Sequence, residues 1–197
     1  MSSLINKAIY IVVILIALTI LFSLMVVIFQ SESNNTMGKP PSTELGFSKD
    51  NPASIGDIVL FKDDHIKGSK LSIVCIESYH GIEAYNRMLV NSKDAFIIQP
   101  NGNYEYLIIK FNISFVNSNE KNRYFYASNG HFYLYQSSNS SGKPEWLQAS
   151  SMKPLIESKL LKNDSIEGWV TFKINKNTDY VYISYVNNNI WFKINIK

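Results

Sequence analysis

Between Ala8 and Phe29 the chain carries no charged side chain and is built mostly of isoleucine, leucine, valine and phenylalanine. That run decides where the rest of the protein can stand. As a helix it measures roughly 33 Å, enough to cross a hydrocarbon core of about 30 Å. Many of its residues are β-branched, but in lipid a helix satisfies all its backbone groups internally, which outweighs a weak propensity. Nothing later in the chain is apolar enough to cover such a segment on every side in a water-soluble core. The alternative is a cleavable signal peptide. Its apolar region is normally about 7–15 residues long, and the small-x-small site here would be Ser31-Glu-Ser33. No cysteine adjoins the run, which excludes lipoprotein processing there. Lys7 precedes it and the next basic residue is Lys39, so the positive-inside rule puts the N-terminus in the cytoplasm and the bulk of the chain outside.

The expected organisation is a cytoplasmic N-terminus and transmembrane signal-anchor helix over 1–30, a flexible extracytoplasmic stalk over 31–52, and a domain over 53–197. The stalk is read from Gly38, Pro40 and Pro41 among Ser, Asn and Thr, with no apolar periodicity.

Past the stalk the apolar residues recur with a period of two. Leu107, Ile109, Phe111, Ile113 and Phe115 alternate with Lys110, Asn112 and Ser114, with Ile108 the exception. This pattern marks a strand with one face in a core and one in water. Further strands are expected at Asp57–Phe61, Leu71–Ser78, Tyr124–Ala127, Phe132–Gln136, Gly168–Ile174, Tyr180–Val186 and Ile190–Ile196. Asn187-Asn-Asn189 signals a hairpin between the last two, because asparagine tolerates positive φ. Short helices are expected at Gly81–Val90 and Pro154–Leu161. The class is mainly β: an antiparallel sandwich following one N-terminal transmembrane helix.

The order of several segments resembles a known family. Asn51-Pro-Ala-Ser-Ile-Gly-Asp57 opens the domain and Ile82-Glu-Ala-Tyr85 follows its second strand. Then come Gly102-Asn-Tyr-Glu-Tyr-Leu-Ile-Ile-Lys110, Phe132 to Gly142, Glu167-Gly-Trp-Val-Thr-Phe172 and the closing Trp191-Phe192. Together they are similar to the extracellular immunoglobulin-like (telokin-like) domains grouped as domain of unknown function 4352. These occur in membrane-anchored proteins and lipoproteins of archaea and Gram-positive bacteria. The resemblance spans about Asn51 to Ile196. It implies an immunoglobulin-like sandwich outside the cell and no catalytic residues. Where lipoprotein members keep a lipid-bearing cysteine, this chain has the apolar run instead.

Composition removes several functions. A net charge of +3 with scattered basic residues supplies no stripe for nucleic acid. The single cysteine, Cys75, lies in Leu-Ser-Ile-Val-Cys-Ile and reads as a small core residue. His80 and Glu83 are too few to hold a metal. Asp63-Asp64-His65 reads as a solvated loop, and Ser141-Gly-Lys-Pro144 lacks the remainder of a phosphate loop. No cofactor, metal or catalytic residue is expected.

Tyr104, Tyr106, Tyr133, Tyr135, Tyr180, Tyr182 and Trp191 form a candidate platform for sugar rings or a protein partner. The plainer alternative is that these are ordinary strand residues. By alternation Trp169 and Trp191 both point away from the core. They pack on each other or beneath Gly81–Val90, or one of them marks a contact surface. Four glycosylation sequons begin at Asn34, Asn112, Asn139 and Asn163. The expected function is a membrane-anchored cell-surface protein whose extracytoplasmic domain acts as a binding or cell-envelope interaction module, with an envelope protein or polysaccharide as the partner and the ligand itself not specified by the sequence. A carbohydrate-binding accessory domain for envelope polysaccharide is the alternative.

Overall fold

The computed structural model describes residues 44–91, 97–100, 102–136, 141–143, 152–186 and 189–197. The apolar run, residues 31–43, Asn34, Asn139, and Asn187 and Asn188 of the hairpin signal lie outside them. Among the described residues no helix is long and apolar enough to cross a membrane.

The strands are β1 (Ile58–Phe61), β2 (Lys70–His80), β3 (Tyr104–Asn117), β4 (Phe125–Ser128), β5 (Phe132–Tyr135), β6 (Ser141–Gly142), β7 (Glu157–Leu160), β8 (Ser165–Asn175), β9 (Tyr180–Tyr185) and β10 (Ile190–Asn195). One α-helix, α1 (Gly81–Asn91), follows β2, and a 3-10 turn (Asn129–His131) joins β4 to β5. Two four-stranded sheets result, ordered β1-β2-β3-β8 and β10-β9-β5-β6, while β4 pairs with β7. All the strand pairs are antiparallel.

The alternation in β3 becomes the core. Leu107, Ile109, Phe111, Ile113 and Phe115 are all fully buried. Phe111 stands 4.7 Å from Phe132 of β5 and 5.4 Å from Phe192 of β10, ring centre to ring centre. One residue of the first sheet thus bridges two strands of the second, which makes the pair a sandwich. Cys75 joins this core, and burial pushes its thiol up to about 12, so it stays protonated and unreactive.

Ile108 breaks the alternation for a structural reason. It points to the outer face, where α1 covers the sheet. Ala84 and Met88, one turn apart on the helix, pack with Tyr106, Ile108, Met152 and Trp169 in a second buried cluster. Gly81 starts the helix at φ +61°, a conformation open to glycine.

The expected helix at Pro154–Leu161 is not formed. The segment instead supplies β7, whose residues Phe125↔Leu160 to Ser128↔Glu157 pair with β4. Ile156 and Leu160 are buried. Such a short apolar run fits a helix or a strand equally, and pairing with β4 decides it. Gly168 is required nearby. A Cβ there would come within 2.8 Å of the Leu155 carbonyl carbon and of the Ile156 side chain, where the segment runs beside β8 and the Trp169 amide donates to the Pro154 carbonyl (2.9 Å).

The domain begins before residue 53. The Trp191 amide donates to the Gly46 carbonyl (2.7 Å), Ala53 donates to Trp191 (2.9 Å) and Lys193 donates to Ala53 (2.8 Å). Residues 44–53 therefore satisfy the free edge of β10, a place where an open strand would invite unwanted pairing.

Candidate binding surface

In β9, Val181, Ile183 and Tyr185 point into the core, so Tyr180, Tyr182 and Ser184 point outward. In β10 and β5 the same alternation sends Trp191, Lys193, Asn195, Tyr133 and Tyr135 to that outer face. The register sets them in rows. Trp191 and Tyr133 both lie opposite Ser184, and Lys193 and Tyr135 both lie opposite Tyr182. Asn195 lies opposite Tyr180.

Five of the seven aromatics singled out in the sequence thus meet on one face. The Trp191 and Tyr135 rings are 5.1 Å apart, and Tyr180 and Tyr182 meet edge to face at 5.4 Å. Ser184 is fully buried although it points outward, because the large rings on either side of it close over its small side chain. Lys49, from the segment that closes the β10 edge, sets its ammonium 5.0 Å from the Tyr182 ring centre and 5.9 Å from that of Tyr135. Lys193 sits 4.3 Å over Tyr180. Both are cation–π distances. Burial, then Tyr180 and Asp50, raise the Tyr182 phenol above its ordinary value. The outward positions of β5, β9 and β10 carry no aspartate or glutamate.

The other two aromatics belong elsewhere. Tyr106 is buried beneath the α1 side of the first sheet and donates to the Ile98 carbonyl (2.9 Å). Tyr104 lies at the start of β3 with Lys173 4.7 Å over its ring. The two indoles part in the same way. Trp169 is 8% exposed, stands 6.2 Å from Tyr79 and packs in the cluster under α1. Trp191 is half-buried on the open face.

The remaining candidates are not brought together. His80 faces Glu105 at 3.4 Å, while Glu83 pairs with Arg87. Asp63 accepts from the His65 amide (2.7 Å), closing its own loop. Among the described residues no group of three or more histidine, cysteine, aspartate or glutamate side chains is placed to hold a metal. Asn112 lies mid-strand in β3 on the outer face, accepting from Ser114 (3.0 Å). Asn163 sits at φ +72° in the turn before β8.

An open cavity of about 450 Å³, lined by Asp63, His65, Arg123, Tyr124, Tyr126 and His131 among others, has no counterpart in any sequence pattern. These residues come from three separate loops and strands. Burial lowers the His131 imidazole, opposed by Glu157 and Asp63, and among the described residues its buried Nδ1 has no hydrogen-bond partner. Glu157 accepts from Tyr126 (2.6 Å) and Ser128 (2.7 Å), so those hydroxyls tie β4 to β7.

No family model matches the sequence, and no curated protein does. Among solved structures the chain is similar to MPT63, a secreted protein from Mycobacterium tuberculosis, at TM-score 0.46 and 9% identity, over 73% of this chain and 98% of that one. It is also similar to the yjhA protein from Bacillus subtilis, at TM-score 0.44 and 13% identity, again over 73% and 98%.

Proposed function

We propose that this chain is a membrane-anchored binding domain held outside the cytoplasm, with the ring-lined outer face of β10-β9-β5 as its contact surface. The observation that carries this reading is the meeting of Tyr133, Tyr135, Tyr180, Tyr182 and Trp191 on one solvent-facing sheet surface. Large amphipathic rings on a rigid sheet give contact area at little conformational cost. The apolar run Ala8–Phe29 supports the anchor, and the charge asymmetry around it supports the side.

An immunoglobulin-like arrangement is supported by strand order. If β2, β3 and β8 take the places of A, B and E, and β10, β9, β5 and β6 those of G, F, C and C′, these seven strands follow that fold's sequence of neighbours, with β1 an added strand beside A and the place of D unfilled in that sheet. The resemblance to domain of unknown function 4352 belongs with this reading.

A carbohydrate-binding role is favoured over protein recognition by the contiguity of the rings, since neighbouring aromatic side chains on one sheet face offer several surfaces for sugars to rest on. The test is association with intact envelopes. Crosslinking pull-down with the full chain should recover envelope material, and Trp191→Ala should abolish the recovery while the protein stays folded. Undiminished recovery with Trp191→Ala would remove this face as the contact surface.

A further inference from the structure

We propose that the ligand of this face is an acidic glycan, whose sugar rings lie on Trp191 and its neighbours while its carboxylate or phosphate groups pair with Lys49 and Lys193. This rests on the reading of the ring-lined face as the contact surface and names the chemistry that surface selects.

Charge is distributed asymmetrically over the face. The outward positions of β5, β9 and β10 comprise five aromatic rings, one serine, one asparagine and Lys193, with no carboxylate among them. Lys49 arrives from outside the sheet and leans over Tyr182 and Tyr135. Lys143 follows directly on Gly142, which lies opposite Leu134, and is exposed. Asp50, which adjoins Lys49 in the chain, is close enough to act on the Tyr182 phenol, so one carboxylate stands beside the two ammonium groups, and Asp179 is bonded to Lys197 (3.0 Å). A neutral glycan would gain only ordinary hydrogen bonds from these ammonium groups, weaker than the charge-assisted bonds an acid makes, and an acidic peptide without rings would leave the ring faces unused.

The spacing fits one unit of a sugar chain with its acid. Trp191 and Lys193 are two residues apart on the same side of β10, a separation of about 6.8 Å at the backbone. Tyr135 lies 5.1 Å from Trp191, and Lys49 lies 5.9 Å from Tyr135. A pyranose resting on the indole therefore has two cations nearby, both toward the Tyr182 and Tyr180 side of Trp191. Each ammonium already sits over a ring and retains its water-facing protons, so accepting an anion requires no buried charge to be uncovered.

The test uses the full chain in detergent micelles and three polymers: polygalacturonate (acidic sugar), dextran (neutral sugar) and polyglutamate (acidic, without sugar rings). Retardation in native gels containing each polymer gives the affinities. Polygalacturonate should bind about tenfold more tightly than either of the others, and the preference should shrink as salt rises. Lys49→Gln with Lys193→Gln should reduce polygalacturonate to the level of dextran with the circular dichroism spectrum unchanged. Equal affinity for dextran and polygalacturonate would overturn the acidic preference and leave the ring surface standing. Polyglutamate binding as tightly as polygalacturonate would overturn the sugar. No retardation by any polymer, with Trp191-dependent envelope association intact, would make the partner a protein. Envelope association that survives Trp191→Ala would remove the face itself.

Discussion

Trp191 of β10 and Tyr135 of β5 meet 5.1 Å apart although β9 runs between their strands. Ser184, the one small outward residue of β9, lies directly opposite Trp191 and is fully buried.

The two indoles should differ in solution. Trp169 lies beneath α1 and Trp191 on the open face. In variants retaining one of them, with the other and Trp146 replaced by phenylalanine, Trp169 should emit to the blue and resist acrylamide. Trp191 should be quenched several-fold more readily. Equal quenching would contradict the placement of α1 over β8.

Phe111 and Lys110 test the register of β3. Phe111→Ala should cost about 3–5 kcal/mol, a large share of a typical stability of about 5–15 kcal/mol. Lys110 faces outward, pairing with Glu167 and, at 3.7 Å, with Glu77. Lys110→Ala should therefore cost about 1 kcal/mol or less. Urea midpoints that fall equally for the two variants would refute the alternation.

Much of this was legible in the sequence. The period of two located β3 and its buried residues, whereas the one breach of the pattern, Ile108, has no explanation in the sequence and is accounted for only by its place under α1 in the structure. The short run at 154–161 was ambiguous because its apolar spacing suits either period, and only its partner β4, some thirty residues earlier, resolves it. The aromatic face was legible as a set of residues but not as a group. Alternation says which side of its own strand a tyrosine occupies, and strand order and register, set by long-range pairing, say which tyrosines share a sheet. The cavity by His131 left no local pattern because its lining converges from separate segments.

Gly168 should not tolerate a side chain. A methyl group would meet the 155–156 backbone at 2.8–2.9 Å, and backbone in a packed contact yields little. Gly168→Ala should lower stability by about 1–3 kcal/mol, measured as a urea midpoint. An unchanged midpoint would contradict the close approach of 155–156 to β8.

His131 should make the domain less stable in mild acid. Burial holds its folded-state value below the ordinary 6.5, so the unfolded chain takes up the proton first. Its contribution is constant above about pH 6.5, and stability falls as the pH drops from there toward the folded value. Between pH 7 and pH 5, His131→Asn should show a shallower loss in urea midpoint than the parent. Parallel slopes would show that burial does not lower this imidazole.

The most direct measurement of the central claim is site-specific photocrosslinking on intact envelopes. A photoreactive phenylalanine analogue at Tyr133 or Tyr182, on the ring-lined face, should yield adducts with envelope material. The same analogue at Ser114, on the outer face of the opposite sheet, should yield none. Adducts at Ser114 without adducts at Tyr133 and Tyr182 would contradict the claim that the outer face of β10-β9-β5 is where this domain makes contact.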